Sequence, residues 1–164
     1  RGKGFDQLEN VIDKIKNNPE DRRILIDLWD PSMMDKVALM PCFMIYNFNV
    51  DTVNKKLNLL GHIRSSDSFL GLPWNIGYAA LMVHLICNLN GVDLTPGELV
   101  INTCDQHIYL NHIDGVKSQL ERKPTQFPQL MVKRKVNRIE DFEWGDISLE
   151  GYVAQPNIKG DMAV

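Results

Sequence analysis

The sequence has no excess of positive charge and no long hydrophobic run. Its 18 Lys and Arg residues face 21 Asp and Glu residues, and the net charge of -3 offers no global field for nucleic acid or an anionic membrane surface. The most apolar stretch, Tyr78 to Leu89, is too short to span a bilayer and is interrupted by His84. We therefore expect no membrane or DNA partner, and any anion site must be local.

Cysteine is scarce as well. Cys42, Cys87 and Cys104 are odd in number and widely spaced, which fits neither a disulfide framework nor a Cys-x-x-Cys metal site. No His, Cys and carboxylate spacing typical of zinc is present, and no glycine-rich loop suited to phosphate. These absences favour a cytoplasmic protein without a metal.

The length of 164 residues suffices for one domain with a hydrophobic core, over residues 1–164. The sequence has no initiator Met, and residues 1–4 run directly into an amphipathic segment. We therefore expect the chain to be the C-terminal part of a longer protein.

Hydrophobic periodicity predicts an α+β fold, with a mixed sheet packed against a long buried central helix. The central helix is expected over 75–89, where the residues are apolar almost all round and Asn90-Gly91 follows. Further helices are predicted over 5–17 and 108–120, and strands over 24–29, 42–50, 57–63, 99–103, 129–136 and 147–152.

Cys42 and Arg64 are the first candidates for chemistry. A cysteine attacks as its thiolate, which a nearby cation favours, so Cys42 needs a partner such as Arg64. A lone cysteine in an apolar strand is otherwise a small buried hydrophobe, and Cys87, inside the apolar helix, is interpreted as structural.

Arginine side chains offer a phosphate site. Arg22, Arg23 and Arg64 have guanidinium groups that donate paired hydrogen bonds to phosphate oxygens. Taken singly, adjacent arginines in a polar turn are solvated cations, and the segment 64–67 also reads as a turn.

Three polar side chains suit a nucleoside. Asn75 has both a donor and an acceptor, which match the edge of uracil, although asparagine before an apolar helix is also a common N-cap. His107 and Tyr109 lie on a strand-to-helix passage with His112, where polar tips reach either a sugar hydroxyl or the local backbone.

Six segments in order resemble the thymidylate synthase family over nearly the whole chain. They are Asp21-Arg22-Arg23, Met40-Pro41-Cys42, Arg64-Ser65-Ser66-Asp67, Leu70-Gly71-Leu72-Pro73-Trp74-Asn75-Ile76, Asp105-Gln106-His107-Ile108-Tyr109 and Met162-Ala163-Val164. Each segment alone is weak, but their order and approximate spacing form a specific signal.

The resemblance implies transfer of a one-carbon unit to dUMP. Cys42 would attack carbon 6, making carbon 5 a nucleophile toward the methylene group of 5,10-methylenetetrahydrofolate, the cosubstrate. Hydride transfer from the folate then gives dTMP and dihydrofolate. The same resemblance implies a homodimer, in which Arg22 and Arg23 reach the phosphate in the partner's site.

The resemblance also assigns the remaining roles. Arg64 and Ser65 would bind phosphate, Asn75 the uracil edge, and His107 and Tyr109 the deoxyribose hydroxyl. Asp67 would bind the pterin ring of the folate. The terminal residues Ala163 and Val164 would close over the ligands and exclude water.

The sequence departs from the family pattern at three places. Phe43 stands where many members have histidine, Ile63 where glutamine is usual, and Thr103-Cys104 where glycines are usual. The family's general-base glutamate, its folate-contacting tryptophans and one more phosphate arginine would lie upstream of residue 1, so we expect an incomplete site. Two alternatives remain open: a dUMP hydroxymethylase of the same family, and an inactive nucleotide-binding or dimerisation fragment.

Overall fold

The computed structural model describes residues 4–162, and these form a mixed α+β structure. The strands are β1 (Leu25–Asp27), β2 (Phe43–Asp51), β3 (Lys56–Asp67), β4 (Thr95–His107), β5 (Gln129–Val132) and β6 (Ile147–Glu150). The helices are α1 (Gln7–Asn17), α2 (Gly71–Cys87) and α3 (Ile113–Leu120). The α+β prediction is confirmed.

The main sheet has the order β1-β2-β3-β4. β1, β2 and β3 are antiparallel neighbours, whereas β3 and β4 run parallel. Because parallel strands end on the same side, the carboxyl ends of β3 and β4 meet at one edge of the sheet, where the antiparallel β2 begins. A separate antiparallel pair joins β5 to β6.

Alternation along β2 and β3 separates an inner face from an outer one. Phe43, Tyr46, Phe48 and Val50 of β2 are buried, and the residues between them are half-buried or exposed. This period of two places the apolar set on the side that carries α1 and α2. The core therefore lies on one face of the sheet, and the opposite face is open in the described residues.

Helix α1 follows the predicted pattern closely. The Asp6 carboxylate accepts a 2.9 Å hydrogen bond from the Glu9 backbone nitrogen and caps the helix start. Val11 and Ile15 are buried against the sheet. The helix ends at Asn17, immediately before Asn18-Pro19, as the proline predicts.

Helix α2 begins four residues before the predicted start at Asn75. The side chain of Asp67 accepts hydrogen bonds of 3.1 Å from the backbone nitrogens of Phe69, Leu70 and Gly71. Pro73 is tolerated because it lies in the first turn, where a backbone N–H has no helical partner. The alternative that Asn75 caps the helix is wrong, since Asn75 lies inside α2.

The burial of α2 is incomplete in the described residues. Ala79, Val83, Ile86 and Cys87 pack into the core. By contrast, Trp74, Ile76 and Tyr78 are 68%, 42% and 61% exposed. The helix is long and packs on the sheet, but its amino-terminal half presents an open apolar surface.

Other boundaries differ from the sequence predictions. The segment 64–67 belongs to β3, so the turn alternative is wrong, because parallel pairing with β4 extends the strand to Asp67. The predicted helix over 108–120 is a 3-10 turn at Leu110–His112 followed by α3. Within residues 4–162, no helix is both long and apolar enough to cross a membrane.

Candidate functional site

One edge of the main sheet gathers most of the candidate residues. Arg64, Ser65 and Asp67 occupy the carboxyl end of β3, and His107 ends β4. Cys42 immediately precedes β2 at the same edge. The register pairs Ser65 with Asp105 and Asp67 with His107. Residues that are far apart in sequence are therefore neighbours here.

Cys42 and Arg64 are joined through the backbone. The backbone nitrogen of Arg64 donates a 2.9 Å hydrogen bond to the carbonyl oxygen of Cys42. Both residues are half-buried. The backbones of these two residues are therefore adjacent at this edge of the sheet.

The guanidinium group of Arg64 is fixed by the segment that leads to Cys42. Its Nε donates to the carbonyl oxygen of Pro41 at 3.1 Å, and its Nη2 donates to that of Met40 at 2.9 Å. The Trp29 ring lies beneath it, with 5.8 Å between the guanidinium carbon and the ring centroid. Trp29 Nε1 also donates to the Pro41 carbonyl oxygen at 3.1 Å. The Arg64 guanidinium group is therefore fixed by Met40, Pro41 and Trp29.

The residues next to Cys42 and Arg64 in the sequence form an apolar pair across β2 and β3. Phe43 on β2 and Ile63 on β3 are Cα partners across the two strands. Their exposed fractions are 7% and 0%. Phe43 and Ile63, two of the positions where the sequence departs from the family pattern, are thus neighbours in the sheet. Both are buried apolar residues at this edge.

The carboxylate of Asp67 stabilises the start of α2. Three backbone nitrogens at the start of α2 donate to its carboxylate. An ionised carboxylate has about four acceptor positions, so capacity remains for a further donor. The side chain is partly accessible at 18% exposure.

His107 and Tyr109 are close together beside the end of β3. Their rings meet edge to face with 5.0 Å between centroids. His107 Nδ1 lies 3.6 Å from Asp105 Oδ1, and the His107 carbonyl oxygen accepts a 2.9 Å hydrogen bond from the Ser68 nitrogen. The backbone of His107 is therefore satisfied by the sheet, while its ring stays half-buried at the edge.

Arg22 and Arg23 lie elsewhere. They precede Leu25, whose partner on β2 is Asn47, which in turn pairs with Leu60 of β3. Arg64 is four residues further along β3, a distance of about 13 Å along the strand. The structure does not bring these arginines to Arg64. Both side chains are exposed, and Arg23 pairs with Asp21 at 3.3 Å.

The remaining candidates are quickly placed. Asn75 is half-buried in the second turn of α2. Ala163 lies outside the described residues. Burial raises the pKa of the Cys87 thiol to about 11, in keeping with its structural interpretation. Across residues 4–162, no group of three or more His, Cys, Asp or Glu side chains is arranged to hold a metal ion.

Comparison with known proteins identifies the family. A family model described as Thymidylate synthase matches residues 1–164. This chain belongs to the thymidylate synthase family. It is 45% identical over 163 residues to the thymidylate synthase of Homo sapiens, covering 99% of this chain and 51% of that protein.

Two further relatives extend the family assignment. The thymidylate synthase of Varicella-zoster virus (strain Dumas) is 43% identical over 161 residues, which cover 98% of this chain and 52% of the viral protein. The bifunctional dihydrofolate reductase-thymidylate synthase of Leishmania major is 43% identical over 163 residues, which cover 99% of this chain and 31% of that protein. The chain thus spans about half the length of the single-function thymidylate synthases it matches.

Two residues that support this edge of the sheet, Trp29 and Phe69, are not predicted from the sequence. Trp29 was interpreted only as the end of a strand, although an aromatic residue before Asp-Pro is a usable signal for a packed turn. Phe69 was not singled out at all. No local pattern marks it, because its partners come from two distant segments, at Gly115 and Gly160.

Proposed function

We propose that the full-length protein transfers a one-carbon unit from 5,10-methylenetetrahydrofolate to carbon 5 of dUMP, giving dTMP and dihydrofolate. The observation that carries the proposal is the hydrogen-bonded contact between Arg64 and the Met40-Pro41-Cys42 segment. This contact supports the proposal that the Cys42 thiol and the Arg64 guanidinium group act on the same dUMP molecule. Membership of the family supplies the reaction class.

The proposed chemistry is the one that the family resemblance implies for Cys42. The Cys42 thiolate adds to carbon 6 of dUMP, and the electron pair that this releases makes carbon 5 nucleophilic. Carbon 5 attacks the methylene carbon of the folate and then loses its proton to a base. The bond from the transferred carbon to the folate nitrogen breaks, which releases tetrahydrofolate and leaves an exocyclic methylene group on carbon 5. Hydride from the folate reduces the transferred carbon to a methyl group, and departure of the thiolate restores the pyrimidine double bond.

The nucleotide is oriented by groups on three elements. Arg64 and Ser65 of β3 bind the phosphate, and Asn75 of α2 pairs with the uracil edge. His107 and Tyr109 bind the deoxyribose hydroxyl. On the folate side, Asp67 binds the pterin ring and Ala163 belongs to a terminal segment that closes over both ligands. Closure excludes water, which protects the reactive intermediate.

The open apolar surfaces of the described residues support a larger assembly. We propose that further sequence of the full-length protein covers Trp74, Ile76 and Tyr78, which completes the buried central helix and supplies groups of the site that these 164 residues lack. The outer face of the sheet also exposes Leu60 and Val100. A second copy of the chain packs on this face and forms the homodimer. Arg22 and Arg23 of each subunit then reach the phosphate of the dUMP that is bound in the partner's site.

Product identification tests the function. The full-length protein is incubated with dUMP and 5,10-methylenetetrahydrofolate, and nucleotides are separated by chromatography and identified by mass. Recovery of dTMP together with dihydrofolate supports the proposal. Recovery of neither dTMP nor hydroxymethyl-dUMP contradicts the proposal and favours a nucleotide-binding or dimerisation role. Cell fractionation tests the proposed cytoplasmic location in the same source.

A hydroxymethylase remains the second candidate, favoured by the buried Phe43–Ile63 pair beside Cys42. The hydroxymethylase differs in that water rather than hydride attacks the transferred carbon. Hydroxymethyl-dUMP with tetrahydrofolate, instead of dTMP with dihydrofolate, would identify it.

A further inference from the structure

The C-terminal segment is fastened to the junction between β3 and α2. The carbonyl oxygen of Asp161 lies 2.7 Å from His112 Nε2 and accepts a 3.2 Å hydrogen bond from Asn111 Nδ2. Gly160 and Ile158 pack beside Phe69 and Gly115. The last described residues of the chain are thus attached to groups that lie beside the start of α2.

Phe69 is the apolar part of this attachment. Its side chain is 8% exposed. A Cβ added at Gly115 would lie 2.8 Å from Phe69 Cζ, and one added at Gly160 would lie 2.8 Å from Phe69 Cε1. Such contacts are closer than packed carbon atoms tolerate, so the ring occupies space that only two glycines leave open. Phe69, Gly115 and Gly160 form a matched set.

His112 is the polar part. It is 1% exposed, and its Nε2 must carry the hydrogen because the Asp161 carbonyl oxygen only accepts. Its Nδ1 has no hydrogen-bond partner among the described residues and lies 3.9 Å from Asp67 Oδ1. The ring therefore sits between the C-terminal segment and the carboxylate that fixes the start of α2. It also stacks at a tilt on Phe69, with 5.1 Å between centroids.

We propose that Phe69 and His112 are positioning residues that hold the C-terminal segment for the folate cosubstrate, and that they set the affinity for folate rather than for dUMP. This inference rests on the proposed function. Of its two folate-side residues, Asp67 lies 3.9 Å from His112, and Ala163 follows Asp161 by two positions in the sequence. Among the described residues, the polar contacts of the Asp161 carbonyl oxygen reach Asn111 and His112, not Cys42, Arg64 or Ser65.

The variants separate packing from hydrogen bonding. In full-length protein, Gly160→Ala drives a methyl group against the Phe69 ring, and adding Phe69→Leu removes the ring edge that it meets. His112→Phe keeps a ring but loses the donor, whereas His112→Gln keeps an N–H near the position of Nε2. Gly145→Ala is the control, because a Cβ there meets nothing within 4 Å.

Calorimetry measures binding of dUMP, and then of tetrahydrofolate with dUMP saturating. We expect Gly160→Ala and His112→Phe to weaken the binding of tetrahydrofolate by about tenfold or more. The affinity for dUMP should change by less than about twofold. Phe69→Leu in the Gly160→Ala background, and His112→Gln alone, recover most of the loss. Hydrogen exchange over residues 152–161 becomes faster in the weakened variants and not in Gly145→Ala.

Three results discriminate. Equal weakening of both ligands, or no weakening of either, overturns the positioning roles while leaving the proposed function intact. A gain of hydrogen exchange without any change in tetrahydrofolate binding also overturns them, because the attachment is then only structural. Wild-type protein that binds neither dUMP nor tetrahydrofolate overturns the proposed function and this inference with it.

Discussion

The ring of Phe43 lies over Gly61 on the neighbouring strand, where a Cβ would be 2.7 Å from Phe43 Cε1. Gly61 is the Cα partner of Tyr46, whose ring meets that of Phe43 edge to face at 4.7 Å. The glycine thus makes room for the residue that directly follows Cys42. This contact connects the core of the sheet to the position of the thiol.

Gly61→Ala tests that connection. The added methyl group forces the Phe43 ring from its place, and we expect a loss of about 1–3 kcal/mol in the free energy of unfolding. Urea denaturation followed by circular dichroism measures it. Gly145→Ala, where the added methyl group meets nothing, is the matched control and should shift the midpoint little. Equal midpoints for both variants would contradict the role given to Gly61.

Cys42→Ala removes the proposed nucleophile. We expect both formation of a covalent adduct with dUMP and product formation to disappear, because the adduct depends on the Cys42 thiolate. Intact-protein mass spectrometry detects the adduct, and chromatography the product. Cys104→Ala, at an exposed cysteine on β4, should retain both. Product formation by Cys42→Ala at the wild-type rate would rule out Cys42.

Arg64→Lys keeps the positive charge but removes the planar guanidinium group and its paired N–H donors. Lysine cannot donate to the Met40 and Pro41 carbonyl oxygens while also meeting a phosphate, so the cation is no longer held in place. Charge-assisted hydrogen bonds contribute about 1.5–3 kcal/mol each, and we expect dUMP affinity to fall by about tenfold or more. Arg138→Lys, in a surface pair with Glu140, is the control. Unchanged affinity in both variants would show that Arg64 does not bind dUMP.

The pH dependence of stability has an identifiable source at Asp146. The Arg134 guanidinium group, 2.7 Å away, and then the Glu143 backbone N–H hold the pKa of the Asp146 carboxyl below its ordinary range. A lowered pKa in the folded state adds stability that is present above the ordinary aspartate pKa of about 3.9 and is lost as the pH falls through the folded value.

Asp146→Asn should therefore lower the urea midpoint at neutral pH and flatten the loss of stability between about pH 5 and about pH 3. The measurement is a series of urea curves across that window. Asp114→Asn is the control, since Asp114 is fully exposed and lies 4.0 Å from Lys117. If Asp146→Asn loses stability in acid as steeply as the wild type, the Arg134 pair is not the source.

Local sequence predicted the elements whose own residues determine them. The aromatic and branched residues of β2 and the proline after α1 are such cases, and the predicted bounds of both elements agree with the structure within two residues. The carboxyl end of β3 was ambiguous because Ser and Asp favour turns locally, whereas pairing with β4 comes from a distant segment. The sequence predicts too late a start for α2, since the Asp67 carboxylate supports the helix start from three residues before the N-cap Leu70, and the Gly and Pro that follow read as helix breakers.

The edge site shows the same division. Cys42, Arg64 and His107 could be proposed from motif order, and the pairing of β2, β3 and β4 brings their backbones to the same edge of the sheet. The support beneath them could not be predicted, because Trp29 reaches Arg64 from a separate loop, and Phe69 depends on glycines 46 and 91 positions further along the chain. Contacts of this kind are set by the fold and leave no periodic pattern.

Mixing inactive variants tests whether Arg22 and Arg23 serve the partner's site. Cys42→Ala is combined with the double variant Arg22→Ala, Arg23→Ala under conditions that exchange subunits. A mixed dimer then has one site with every native group, so random pairing returns about a quarter of wild-type activity. Cys42→Ala mixed with Arg64→Ala is the control, because both changes belong to the same subunit's site and each mixed site stays defective. Recovery in the control as well, or in neither mixture, would refute the sharing of arginines between subunits.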